Sequence, residues 1–396
     1  MNPRRLERTP DDFERRVVVS GVGQSQIARR LPDTNLALTI DAVLAAVTDA
    51  GLSVDDVDGV ATIVVPAMSM NTPGEEGPDC GEVIDALGIR ATWAISSAGG
   101  VHPFVEAIRA VADDTCRHVV VYRTVKNGSA SKRTHTDGRG ASWGKATGAL
   151  AWQVPVGAFS TANLVSLSAQ RYMHDYGLTR EQLGWLAVTQ RAHAARNPDA
   201  VYREPLSIDD YLAARMISEP FCIYDCDVTI DASTAIVFSR SDAVSGLRSA
   251  ARIEALGWNV APRQFEFFDD LRGSRTREAA RTLWSRSDLT VADVDAAQLY
   301  DGHSWFVLEW LEALGFCAPG SVGNLVEGGT AITYGGTVPV NTWGGQLSAG
   351  RLHAGFGHLA EALRQLRGEA GPRQVPDLEV TIVTAGPGSP AMLLTR

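Results

Sequence analysis

Residues 341–371 read NTWGGQLSAGRLHAGFGHLAEALRQLRGEAG. Gly344 and Gly345 follow Trp343, and paired glycines let the backbone come close to another group. Trp343 and Gly344 therefore read as pocket lining. A Ser348-Ala349-Gly350 step leads to Arg351 and then to His353, on the turn that enters the last helix. Beyond it Phe356, Leu359, Leu363 and Leu366 recur at helical spacing, the stripe of an amphipathic helix facing a core.

Strand-like runs surround this segment at Arg16–Val22, Asp58–Val64, His118–Tyr122, Ala235–Ser239, Ala251–Leu256, Ala296–Tyr300, Leu378–Thr384 and Ala391–Thr395. Helical patterns lie between them. Leu36, Ile40, Val43, Leu44 and Val47 share one face behind a Thr34 or Asn35 cap, with Gly51 as the stop. Val101, Phe104, Val105, Ile108 and Val111 mark a second helix. Strands alternating with helices indicate an α/β protein.

An internal echo refines this. GLSVDDVDGV (51–60) resembles DLTVADVDAA (288–297), each after a helix and before an apolar strand. The shared flanking order favours duplication, with halves at 1–245 and 246–396. The first half carries an insertion at about 124–230. It opens with VKNGSASKRTHTDGRGASWGKATG (125–148), which reads as a mobile loop, and continues into helices near Thr161–Tyr176 and Arg180–Arg196.

Composition removes whole classes of function. The 396 residues carry 36 Lys+Arg against 46 Asp+Glu, a net charge of −10 without a basic block, which argues against a nucleic-acid footprint. No run approaches the ~20 apolar residues needed to cross a bilayer, and the charged start lacks a secretory signal pattern, so a cytoplasmic location is expected. Five scattered cysteines do not make a disulfide framework, and Cys222 and Cys226 have no second pair at zinc-finger spacing. Only Lys126, Lys132 and Lys145 are available for a Schiff base, and all three fall in the polar loop. The eight histidines show no pair at metal-ligand spacing, so no metal is expected.

Duplicated α/β halves with an insertion in the first resemble the thiolase plan. Residues 341–371 are similar to the thiolase segment P-V-N-x-x-G-G, then S-x-G, then a helix. EPFCIYDCDVTIDASTAIVFSRSDA (219–243) resembles the strand that closes a thiolase first half. RAHAARNPDAVYREPLSIDDYLAARMIS (191–218) resembles the helix and connection before it. The set most resembles the sterol-carrier-protein-x branch, which implies a layered αβαβα thiolase fold acting on acyl-CoA thioesters of bulky lipids.

The departures from that pattern fall on the thiolase nucleophiles. The turn expected to carry the first cysteine reads AISSAGG (94–100), which puts Ser96 at that position. Arg351 stands where a G-H-P triplet has histidine. No cysteine lies in AGPGS (385–389), and Tyr300-Asp301-Gly302-His303 replaces the N-E-A-F segment. A helix N-terminus activates a thiol, not an isolated serine. Ordinary thiolysis is thus excluded as the expected activity.

A β-hydroxyacyl-CoA can break the same Cα–Cβ bond without an acyl-enzyme, because the Cβ side leaves directly as a ketone or aldehyde. That reaction needs a base for the hydroxyl and donors for the enolate oxygen. The chain resembles the thiolase-like steroid side-chain aldolases, which lack the cysteine and carry a Tyr-Asp segment. The resemblance implies cleavage of a 17-hydroxysteroid side-chain CoA thioester to a 17-ketosteroid and a short acyl-CoA. It also implies a homodimer, and a small OB-fold, zinc-ribbon-type partner that would hold any zinc; CoA enters only as part of the substrate. A second tyrosine is expected near Gly350–Leu352, where the chain has Arg351. Tyr300, Asp301, His303 and His353 are the candidate catalytic residues. Asp301 either orients the network or caps the helix beginning at His303, and the histidines are the groups expected to titrate near neutral pH. Ser96, Trp343, Gly344, Arg351, Gly386 and Gly388 are the candidate substrate contacts, the last two through backbone N–H groups or as a hairpin turn. The alternatives are an acyltransferase or condensing enzyme using Ser96, and a non-catalytic lipid-carrier subunit.

Overall fold

Strand β1 (Val17–Gln24) lies in the middle of a mixed sheet, pairing antiparallel on one side with β7 (Asp231–Arg240) and on the other with β8 (Ala251–Gly257). The computed structural model describes residues 12–63, 77–97, 102–129, 154–158, 160–244, 250–259, 271, 273–386, 388 and 390–396. Within these, β7 continues to β4 (His118–Lys126), β2 (Gly59–Ile63) and the edge strand β3 (Trp93–Ser97). On the other side β8 continues to β11 (Ala391–Thr395), β10 (Val380–Thr384) and β9 (Ala296–Gln298). A separate hairpin pairs β5 (Met216–Ser218) with β6 (Phe221–Cys222).

The echoed segments build the same device twice. Ser53 and Asp56 make a capping box before β2, and Thr290 and Asp293 make one before β9. Asp58 then accepts the backbone N–H groups of Arg117 and His118, where β4 begins. Asp295 accepts those of Glu379 and Val380, where β10 begins. In both places a carboxylate satisfies the first donors of the neighbouring parallel strand, which would otherwise be orphaned.

Helices form three layers around the sheet. α1 (Asn35–Asp49) and α2 (Cys80–Leu87) share a core with β2, β4 and β7 on one outer face. In the second half α7 (Ser274–Ser285) and α8 (Ser304–Leu314) do the same with β9, β10 and β11. Between the halves lie α3 (Pro103–Ala112) and α9 (Phe356–Arg367), whose Phe104 and Phe356 rings sit 4.6 Å apart. The Phe356, Leu359, Leu363 and Leu366 stripe is buried as its spacing predicts. The insertion contributes α4 (Thr161–Tyr176), α5 (Arg180–Ala194) and α6 (Ile208–Leu212). Among the described residues no helix is long and apolar enough to cross a membrane.

Two expectations change. The buried face of α1 is Leu38, Ala42, Val43, Ala46 and Val47, while Leu44 is exposed. Small residues face the sheet because α1 lies so close to β1 that a Cβ on Gly23 would stand 2.2 Å from the Ala42 carbonyl oxygen. β4 runs on to Lys126, held by pairing with Asp231, so this lysine ends a sheet strand and is not in the polar loop. Val101, residues 98–100, and 130–153 with Lys132 and Lys145 lie outside the described residues.

Candidate active site

Past the end of β9 side chains take over the backbone groups of the chain. Asn341 accepts the Leu299 N–H at 2.7 Å and donates to the Leu299 carbonyl at 2.8 Å, from a backbone with φ of 49°. Thr384 Oγ1, at the end of β10, accepts the N–H of Tyr300 at 2.8 Å. Tyr300 is thereby fixed where α/β folds place ligands, beyond a strand end and before a helix. Its ring is 7% exposed and faces Phe306 and His358 at centroid separations of 5.7 and 6.2 Å. Asn341→Ala leaves a buried donor and acceptor unpaired, so a stability loss of about 2–4 kcal/mol is expected, with a fall in kcat as Tyr300 loses its anchor. Urea midpoints and steady-state kinetics measure the two effects.

Asp301 does not cap a helix. α8 starts at Ser304 with His303 in the cap position, and the Asp301 carboxylate turns inward. Its Oδ1 accepts from His358 Nε2 at 2.9 Å, both side chains being fully buried, and its Oδ2 accepts from the Leu347 N–H at 3.3 Å. His358 stands between the Tyr300 ring and the Trp343 ring, the latter at 5.4 Å edge-on. The two glycines after Trp343 make room for this arrangement. A Cβ on Gly345 would lie 2.0 Å from Asp301 Oδ2, and one on Gly344 would lie 2.5 Å from Ala194 of α5. A phenol, an imidazole and a carboxylate are thus gathered at one strand end.

His303 and His353 do not titrate near neutrality. His303 donates through Nδ1 to the Asp225 carbonyl at 3.3 Å and stacks on Phe221 at 5.6 Å. Burial first, and then the Arg351 cation, push its pKa down to about 4. His353 is held well below the usual range by burial and then by Arg351, Arg123 and His102. Arg351 pairs with Asp227 at 3.0 Å, and the Asp227 N–H donates to Gly302, so a strap from the insertion crosses the site. His102 caps α3, accepting from the Phe104 N–H and donating through Nε2 to the Ala354 carbonyl at 3.0 Å. The N-termini of the two central helices meet through this bond.

These shifts make the fold acid-sensitive. Burial also lowers His102 and His193 to about 4. The native state then binds fewer protons than the unfolded chain between pH ~6.5 and ~4. Stability is full above that window and falls as pH drops through it, by up to about 3 kcal/mol for each such histidine. Denaturant midpoints at pH 7.5 and 5 should separate by several kcal/mol equivalents, and His303→Phe should narrow the gap.

Ser96 lies in β3, not on a turn, and its hydroxyl accepts the N–H of Cys80 at the start of α2. Gly386 is placed by Trp310, whose Nε1 donates to its carbonyl at 3.0 Å, and Gly388 packs against Arg275 in the β10–β11 hairpin. Trp343 borders a small crevice with Gln24, Leu352 and Arg373. Burial raises all five thiols: Cys116 and Cys317 to about 11, Cys222 to about 12, and Cys80 and Cys226 upward too. That is the reverse of an activated nucleophile. Reading by residue type missed His358, whose only local signal is its place in the first turn of the last helix. It also missed Asp225, whose buried carboxylate accepts from Tyr211, Ser304 and the Cys222 N–H.

The layered sheet, the two central helices and this strand-end site are those of a thiolase-fold protein. Residues 258–392 match the thiolase C-terminal domain-like family. The chain is 33% identical over 94% of its length to 17-hydroxy-3-oxo-4-pregnene-20-carboxyl-CoA lyase of Mycobacterium tuberculosis, covering 96% of that protein. It is equally 33% identical to the steroid side-chain-cleaving aldolase of Thermomonospora curvata, over 94% of this chain and 95% of that one. Among solved structures the Ltp2-ChsH2(DUF35) aldolase superposes with a TM-score of 0.85 at 30% identity, over 97% of this chain and 98% of that one. The chain belongs to the thiolase-like family of steroid side-chain-cleaving aldolases.

Proposed function

We propose that this protein is a carbon–carbon lyase that cleaves a 17-hydroxysteroid side-chain CoA thioester by retro-aldol reaction. The products are a 17-ketosteroid and a short acyl-CoA such as propionyl-CoA. The observation that carries the reading is the Tyr300–His358–Asp301 cluster in a thiolase fold whose thiols are all held protonated. In the reaction the β-hydroxyl proton passes to the Tyr300 oxygen and its C–O bond becomes a ketone. The Cα–Cβ electron pair moves into the thioester as an enolate, and Cα then regains a proton. A free phenol with a pKa near 10 is a weak base, so the imidazole–carboxylate pair behind Tyr300 supplies the basicity.

His303 and His353, kept neutral, offer the substrate hydrogen bonds without charge, and Arg351 with the Gly386 and Gly388 backbone faces the developing enolate. The reaction draws on no cofactor of its own, CoA being part of the substrate. The chain works in the cytoplasm as a homodimer. The edge strand β3 supports this, since Ala94 and Ser96 are exposed on an edge that is unpaired among the described residues and that a second copy would cover. A DUF35 protein with an OB-fold and a zinc ribbon completes the complex. Incubation of the complex with a 17-hydroxy-C22-steroidyl-CoA tests the reading. Equimolar ketosteroid and propionyl-CoA support it, and an unchanged substrate overturns it. The Ser96 acyltransferase reading is disfavoured because that hydroxyl is engaged with α2 and, among the described residues, no imidazole is bonded to it.

A further inference from the structure

The surroundings of Asp301 are unusual in one respect. Both ends of the Gln190 amide, both ends of the Gln346 amide, Trp343 Nε1 and His358 Nδ1 are buried without a hydrogen-bond partner among the described residues. Gln190, Gln346 and His358 are 0% exposed and Trp343 is 4% exposed. The segments that carry them meet at Asp301, whose carboxylate accepts from His358 and from the Leu347 N–H. The position a Cβ would take on Gly345 is 2.0 Å from Asp301 Oδ2 and 2.8 Å from Gln190 Oε1, and Gln346 is the next residue of the same short helix. Trp343 packs edge-on against His358.

A buried amide left unpaired costs about 1–3 kcal/mol, whereas an apolar side chain of similar size costs nothing of the kind. Leucine or methionine would therefore stabilise α5 and the 345–348 turn. Concentrating such groups around one carboxylate is a departure from stability expected at a functional site. Interior polar groups of this sort are commonly joined by ordered water, which takes two to four partners. The amides of Gln190 and Gln346, the indole N–H and the free imidazole nitrogen supply both donors and acceptors for it.

We propose that Gln190 and Gln346 are positioning residues of the proton-transfer step, holding water against the Asp301–His358 pair behind Tyr300. The proposal rests on the retro-aldol reading and adds the route of the proton. The proton leaving the substrate hydroxyl reaches Tyr300, is shared through water with the His358–Asp301 pair, and returns to Cα of the enolate. Nothing is oxidised or reduced, and no proton is gained or lost over the cycle.

The test uses the full chain with its DUF35 partner and the variants Gln190→Leu and Gln346→Leu, with Gln190→Met and Gln346→Met as second choices. Each variant is expected to melt at the wild-type temperature or above it. Each is expected to lose at least about tenfold in kcat, with KM within about twofold of wild type. A second readout needs no turnover. In 15N-histidine NMR the His358 Nε2–H signal, assigned by His358→Gln, should exchange with solvent more slowly in either Leu variant than in wild type. Unchanged kcat in both variants would overturn the proposal, as would unchanged His358 exchange. If the wild-type complex releases no ketosteroid, the retro-aldol reading fails instead, and the exchange measurement alone decides whether the two amides hold water at His358.

Discussion

Tyr300→Phe is expected to lower kcat for side-chain cleavage by about 10²–10⁴-fold, with KM and the melting temperature nearly unchanged. The Tyr300 backbone is pinned by Asn341 on Leu299 and by Thr384 on its own N–H, and neither contact involves the phenol. Its ring packs on Phe306 and His358, which a phenylalanine ring does as well. Only the hydroxyl is removed, so the loss reports proton transfer and not folding. The phenol also has a defined seat, since a Cβ on Gly302 would lie 2.7 Å from its oxygen. Stopped-flow measurement of ketosteroid release, beside a thermal melt, separates the two effects. A variant that keeps wild-type kcat would remove Tyr300 from the chemistry.

Asp301→Asn should be nearly as costly in rate and should also destabilise. The carboxylate accepts from two donors, His358 Nε2–H and the Leu347 N–H. An asparagine side chain has one acceptor oxygen and a donor NH2 group. Whichever way the amide turns, one N–H meets another N–H, or the imidazole adopts the other tautomer and no longer presents an accepting nitrogen. A kcat loss of about 10²–10⁴-fold follows from the misassigned proton. Breaking a fully buried pair is expected to cost about 3–5 kcal/mol as well. Asp301→Glu, which keeps the charge but lengthens the side chain against Gly345, should fold less well than Asp301→Asn. Urea midpoints on the three proteins give that order directly.

Much of the fold was readable because it rests on periodicity and punctuation. The stripe from Phe356 to Leu366 and the echoed Ser53–Asp58 and Thr290–Asp295 segments carry their structure locally. The α1 face was misread because apolar size pointed to Leu44, whereas close approach of helix to strand demands alanine opposite glycine. Part of the site was equally legible. Tyr300 and Asp301 lie at a strand end that the apolar run predicts, and the glycines after Trp343 mark a close approach. What they approach, the protein's own Asp301, depends on packing between segments some forty residues apart. His358 was hidden for the same reason. In sequence it is one more helix residue, and only the turn of Asp301 inward brings a carboxylate to its ring. The histidines expected to titrate near neutrality do not, because burial is a tertiary property that residue identity does not carry.

Retro-aldol cleavage breaks the carbon–carbon bond without a covalent acyl-enzyme. Rapid-quench intact-mass spectrometry during a single turnover of the complex tests it most directly. Unmodified protein is expected at every time point, with ketosteroid and short acyl-CoA appearing together, in wild type and in Ser96→Ala alike. An acyl adduct on Ser96 or on any cysteine, formed and consumed at the rate of turnover, would contradict it.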